Sequence, residues 1–434
     1  MHPTIVINIV GLTPQLIGPH TPNLARLKQQ GGMRPLRTVT PAVTCSVQAT
    51  FMTGLPPSGH GAVANGWLFR DLSEIWLWRQ SNKLLSGERV WDAGKARDER
   101  FTCANMFWWY NMASDADVAV TPRPIYKADG RKVPDCYAQP GALRDELNER
   151  LGPFPLFHFW GPATSIRSSA WIADATLHVL KTRQPTLTLV YLPHLDYVLQ
   201  RLGPDDPAVA KDMAEVDAVA GKLIDAAQET GRRVIVLSEY GIVPVSRPVH
   251  INRALREAGL LAVRTEDGGE LLDPPQSRAF AVADHQLAHV YVADPDDIAR
   301  VRVVLQRLDG VDQVWGEAEK TVNGLDHPRS GELVALAKPD AWFTYYYWLD
   351  DARAPDFARC VEIHRKPGYD PVELFLDPQI KFPKPSVGCG LFTKALVQRT
   401  LLDVIPLDAS IARGSHGPAA TPDLPTPVVL STAP

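Results

Sequence analysis

Cysteine is scarce in this chain and shows no pattern. Cys45, Cys103, Cys136, Cys360 and Cys389 are odd in number, scattered, and contain no Cys-x-x-Cys pair. That excludes a zinc ribbon and a disulfide framework, and suits a reducing, cytoplasmic compartment. An excess of positive charge is also missing. The 45 Lys and Arg residues face 49 Asp and Glu, leaving a net charge of -4, so neither nucleic acid nor an anionic membrane surface is expected as a partner. No run approaches the roughly 18 apolar residues needed to span a bilayer. The opening MHPTIVINIVGLTP lacks a basic start and a small-residue cleavage site, and reads as a strand rather than a leader. No internal repeat is visible. What remains is a chain of 434 residues with 45% hydrophobic content, enough for a sizeable core in one large α/β domain or in two or three average ones.

The apolar runs alternate between strand and helix spacing. Residues 4–10, 186–192 and the run RRVIVLSEYG are short and rich in β-branched residues, as expected of strands buried on both faces of a parallel sheet. Residues 22–30, 170–181 and 207–229 have helical spacing. A further strand is expected over residues 101–109, a strand pair in ELVALAKPDAWFTYYYW, and an edge strand in the terminal PVVLS. Residues 121–165, rich in Pro and Gly, read as an irregular insertion or lid. Residues 67–91 hold four of the eleven tryptophans, either a pocket wall or plain core. The alternation predicts a mainly parallel sheet with helices on both faces, whose chemistry gathers at the carboxyl ends of the strands.

One stretch organises the rest: TVTPAVTCSVQATFMTGLPPSGHGAVAN, residues 38–65. Helical spacing begins at Thr44 and ends at Gly54, before Pro56 and Pro57. A hydroxyl at a helix start lies where free N–H groups and the positive dipole end favour an anion; equally, Thr is a common N-cap with no further role. Other strand exits add Asp196 in YLPHLDYVLQRLGP and Glu239 in LSEYGI, while His416 lies in the later GSHG. A hydroxyl, an amide, two carboxylates and an imidazole on one sheet edge are the parts for phosphoryl transfer at a divalent metal.

The ordered set VINIVGL, TPNLARLKQQG, the 38–65 stretch, YLPHLDYVLQRLGP, VIVLSEYGI and GSHG resembles the alkaline phosphatase superfamily, in its type I phosphodiesterase and nucleotide pyrophosphatase branch. The resemblance spans the chain as a single domain, residues 1–434. It implies an α/β three-layer fold, a central mainly parallel sheet between helices. By the resemblance Thr44 is the covalent nucleophile, Asn65 hydrogen-bonds a phosphoryl oxygen, and His60 shapes the turn. It also implies a two-zinc site, and there the sequence departs from the family. The first family Asp falls at Val10, with Asn8 the nearest polar residue; the Asp-His pair becomes Glu239-Tyr240; Asp196 matches but its His partner is Gln200; His416 matches.

The expected ligands are therefore Asp196, Glu239 and His416, with Asn8, Gln200, Tyr240, Asp284, His285 and His289 as further candidates. The ion is zinc by resemblance, or manganese or magnesium by the oxygen-rich donor set. Asp284, His285 and His289 otherwise read as residues of an interstrand turn. His364, Arg365 and Lys366 read either as a cationic pocket or as a surface turn. The function implied is metal-assisted hydrolysis of a small phosphodiester or phosphomonoester through Thr44. The alternatives are a catalytically reduced protein that binds a phosphorylated metabolite, and a phosphoryl transferase.

Overall fold

The computed structural model describes residues 1–380, 402–418 and 424–432; Cys389 and residues 419–423 of the Pro-rich tail lie outside them. An eight-stranded sheet forms the centre, in the order Met33–Pro35, Val428–Ser431, Arg233–Leu237, Thr4–Ile9, Leu187–Leu192, Cys103–Met106, Val118–Pro122, Cys136–Gln139. Its five inner strands from Arg233–Leu237 to Val118–Pro122 are parallel. This suits the apolar runs, since LTLVYL is buried at all six positions, as expected of a parallel strand covered by helices on both faces.

The helices follow from their stripes. In Val209–Glu229 the buried Val216, Val219, Ala220, Leu223, Ile224 and Ala227 recur at three and four residues, one face of a 3.6-residue helix. That face packs against Ile166–Arg183, Pro22–Gly31 and the sheet. Each such large aliphatic side chain contributes about 1.5–3 kcal/mol on burial.

A four-stranded antiparallel sheet, Ala279–Asp284, Leu287–Val292, Leu333–Ala337 and Val311–Trp315, carries a second core. Its first two strands resolve the AFAVADHQLAHVYV segment into a hairpin with His285 and Gln286 at the tip. ELVALAKPDAWF forms two strands as its pattern predicts.

Three expectations change. Val428–Ser431 is not at an edge but lies antiparallel between Met33–Pro35 and Arg233–Leu237. The 101–109 strand ends at Met106, because the chain turns through left-handed backbone at Phe107 (φ 71) and Tyr110 (φ 56). The 121–165 segment is more ordered than its composition implies. It supplies the edge strand Cys136–Gln139 and the helix Ala142–Leu151, with Gly141 and Gly152 at the helix ends rather than inside it.

In-register pairing sets the site. Asn8 lies opposite both Tyr191 and Leu237, so the strand exits leading to Val10, Asp196 and Glu239 emerge side by side.

Candidate active site

Thr44 is the first residue of the helix Thr44–Thr53, and extended Val43 is the cap. The N-cap reading of Thr44 is thereby corrected: its side chain closes no helix end, and its hydroxyl lies 3.1 Å from the Tyr240 hydroxyl instead. The helix start is fixed from two sides. Asn65 Oδ1 accepts from the Cys45 N–H at 3.0 Å, which satisfies a first-turn donor. From the C-terminal side, His416 Nδ1 donates to the Ala42 carbonyl at 2.7 Å while the Ala42 N–H donates to the Gly417 carbonyl. This double clasp brings GSHG to the start of the helix Thr44–Thr53.

Three carboxylates lie buried around this start. Asp196 stands on the first turn of His194–Leu202. Its Oδ2 accepts from Gln200 Nε2 at 2.7 Å and its Oδ1 from the Tyr240 hydroxyl at 3.3 Å. Gln200 Oε1 in turn accepts from the Tyr369 hydroxyl at 2.7 Å. Glu239, fully buried, receives two amides on one oxygen: Asn8 Nδ2 and Gln48 Nε2 both lie 2.5 Å from Oε1. Asp284 takes the Asn65 N–H at 2.7 Å and Asn65 Nδ2 at 3.0 Å.

Burial sets their acidity. It pushes Asp196 up to about 7, against the bonds from Gln200 and Tyr240. Glu239 is pushed up to about 8 against the amides of Gln48 and Asn8, and Asp284 to about 7 against Asn65. The same burial drives His416 down to about 3 and His285 well below the usual imidazole range, so both rings are neutral near pH 7.

Four rings lie in a row beside them. Tyr240 stacks on His416 at 3.6 Å and 10°, His416 meets His285 at 3.6 Å, and His285 stacks on Tyr369 at 3.7 Å. His285 holds its place at the hairpin tip with φ 60, a strained value for a residue with a Cβ. A cavity of about 20 Å³ lies against Tyr240 and His416, bordered by Thr38, Ala42 and Gln286, room for about one water.

The residues expected to hold a metal do meet at this sheet edge, but they do not fit a metal centre as they are arranged. Both oxygens of Asp196 and one of Glu239 are taken by N–H or O–H donors, which compete with a cation for the same lone pairs. The Tyr240 phenol stands between Thr44 and Asp196 and lies flat on His416. Gln200 turns its N–H, not its carbonyl, to Asp196. Glu239 Oε2, Asn8 Oδ1 and His416 Nε2 are buried without hydrogen-bond partners, yet among the described residues the metal-capable trio with ligand atoms within 4.8 Å of one another is His194, Asp212 and Glu215. That cluster of an imidazole and two acids includes none of Asp196, Glu239 and His416. Arg201 and Lys211 already act on its Asp212.

Other candidates separate from the site. His289 lies in the strand and is satisfied by the Val63 carbonyl at 3.0 Å and the Gly331 N–H at 3.2 Å. His364, Arg365 and Lys366 do not converge: Arg365 pairs with Asp356, and buried Lys366 lies 2.7 Å from both Asp370 and Glu373. Neither a free cationic pocket nor a simple surface turn describes them. His60 accepts or donates at Thr50 and receives the Ala62 N–H, in keeping with a turn-shaping role. Two site residues were missed. Gln48 was within reach of helical spacing, one turn after Thr44; Tyr369 had no local signal.

This is the fold of alkaline-phosphatase-like hydrolases. The sequence pattern of the type I phosphodiesterase / nucleotide pyrophosphatase family matches residues 4–370, and the chain belongs to that family. An uncharacterised pyrophosphatase/phosphodiesterase of Schizosaccharomyces pombe is 25% identical over 248 residues, 56% of this chain and 45% of that protein; the chain thus matches less than half the length of this curated relative. Phosphonoacetate hydrolase from Sinorhizobium meliloti, in complex with phosphonoformate, superposes with a TM-score of 0.62 at 16% identity, covering 100% of this chain and 90% of that one. Murine ectonucleotide pyrophosphatase / phosphodiesterase 5 gives 0.58 at 14% identity, covering 100% and 88%. An inactive form of it in complex with AMP gives 0.54 at 16% identity, covering 79% and 80%. At these identities the structural likeness concerns the fold. The family is one of phosphoester hydrolases, typically metal-dependent, and the family match ends before His416.

Proposed function

We propose that this protein hydrolyses a small phosphodiester or phosphomonoester, with Thr44 as the attacking group. The observation that carries this reading is the placement of the Thr44 hydroxyl at the first helical residue, beside an amide and buried proton acceptors, in a chain of this family. The phosphoryl group sits against the helix start, where N–H groups and the dipole favour its charge. The second N–H of the Asn65 amide, whose first is used on Asp284, is available to a phosphoryl oxygen. Thr44 forms a phospho-threonine, which water then cleaves. Because Thr44 is only 4% exposed, substrate access requires the surrounding wall to open. Zinc, manganese or magnesium assistance through Asp196, Glu239 and His416 is the family-derived form of this mechanism, and no step is routed through it here. No helix among the described residues is long and apolar enough to cross a membrane; the buried free thiols of Cys45, Cys103 and Cys136 support a cytoplasmic setting.

Thr44→Ala is expected to lower turnover of an aryl phosphodiester by at least about 10²-fold while circular dichroism stays unchanged. Unaltered turnover would remove Thr44 from the mechanism.

A second reading is favoured by the four-ring row and the saturated carboxylates: a protein that binds a phosphorylated metabolite without cleaving it. It predicts thermal stabilisation by a nucleoside monophosphate that chelator leaves unchanged, with no product formed. Transfer of the phosphoryl group to an acceptor other than water is separated from hydrolysis by adding alcohols and following the products.

A further inference from the structure

The hydrogen bonds that occupy the carboxylates also connect them. Thr44 Oγ1 lies 3.1 Å from the Tyr240 hydroxyl, that hydroxyl 3.3 Å from Asp196 Oδ1, Asp196 Oδ2 2.7 Å from Gln200 Nε2, and Gln200 Oε1 2.7 Å from the Tyr369 hydroxyl. We propose that this centre works without a resident cation, the Tyr240 hydroxyl standing beside Thr44 and passing its proton to Asp196. The inference rests on the reading of Thr44 as nucleophile and adds the group that activates it.

Direction follows from the chemistry of the ends. Asp196 as carboxylate is acceptor only, so the shared Tyr240 proton points to it, and the phenol oxygen is then free to accept from Thr44. Gln200 cannot reverse this polarity, because its N–H already faces Asp196 and its carbonyl is held by Tyr369. The stack on His416 fixes the phenol ring in plane.

In the first half-reaction the Thr44 Oγ–P bond forms and the bond from phosphorus to the leaving oxygen breaks. The Thr44 proton moves to the Tyr240 oxygen as the Tyr240 proton moves to Asp196 Oδ1, and the leaving oxygen takes a proton from solvent. In the second, water oxygen bonds to phosphorus and the Thr44 Oγ–P bond breaks. Asp196 returns its proton through Tyr240 to Thr44, and the proton lost by water goes to solvent. Tyr240 is thus catalytic, and Asp196 a positioning residue acting through it.

Two measurements test this. The purified wild-type protein is dialysed against micromolar zinc at pH 7.5 and its bound metal counted; the expectation is no stoichiometric zinc that depends on Asp196 and His416. One or two equivalents released by Asp196→Asn or His416→Ala would overturn the proposal without any assay of turnover. Tyr240→Phe keeps the ring on His416 and removes only the hydroxyl. It is expected to lower kcat on an aryl phosphodiester by about 10²–10³-fold, the scale of losing one preorganised polar group, with KM little changed. Full activity in Tyr240→Phe beside an inactive Thr44→Ala would refute the relay and leave the nucleophile standing. Full activity in both would refute the nucleophile as well.

Discussion

Glu239 shows how a single side chain reports on the centre. Burial keeps its proton up to about pH 8 in the folded state, while an ordinary glutamate releases it near 4.3. The folded protein therefore binds more protons than the unfolded one between those values, and stability contributed by Glu239 is lost as pH rises through that window. Glu239→Gln keeps an oxygen for Asn8 and Gln48 and carries no titration. Its melting temperature relative to wild type is expected to improve steadily from pH 5 to pH 8. A constant difference over that range would mean that Glu239 is already ionised in the native protein, as a bound cation would make it. The neutral His416 and His285 are common to both proteins and cancel in the comparison. At this scale the sequence was legible where chemistry and spacing coincide. Thr44, Asn65 and Asp196 stood out because their motif fixes them. Asn8 was readable only as a substitute for Val10, and its partner is Glu239 across the sheet.

Among elements, the C-terminal segment is the one on which the site most depends. Gly414 pairs with Pro244, and a Cβ at Gly414 would lie 2.1 Å from the Leu199 carbonyl oxygen, far inside contact distance and against backbone that cannot turn aside. Arg413 N–H also donates to the Gln200 carbonyl at 2.9 Å. Gly414→Ala is expected to displace GSHG from the helix His194–Leu202, loosening both the clasp on Ala42 and the ring row. Lower thermal stability together with lost phosphodiester turnover is the predicted signature; a variant matching wild type in both would show that the clasp does not position the site. Sequence pattern located the buried strands by their continuous β-branched runs and the long helices by their 3.6-residue period. It could not decide the His285 to His289 spacing, since four residues keep one face on a helix and on a strand alike, and only pairing across the hairpin settles it. The 121–165 segment misled for another reason: its glycines and prolines punctuate short elements that draw their stability from the sheet edge.

Across the whole molecule, the main sheet supplies the strand exits while the antiparallel sheet supplies Asp284 and His285 from its hairpin tip. The site exists only where these two cores meet. That explains why Tyr369, 169 residues from its partner Gln200, left no trace in local sequence, and why a family pattern found the Thr44 segment but not the ring row. The family's architecture is kept, and the residues expected as metal ligands lie among amides, phenols and imidazoles that hydrogen-bond or stack on them. The most direct test is aryl phosphodiester turnover by chelator-treated protein, wild type and Thr44→Ala side by side. The account predicts activity in the stripped wild type and a loss of at least about 10²-fold in the variant; equal rates in the two, or activity in wild type only after zinc, manganese or magnesium is restored, would contradict it.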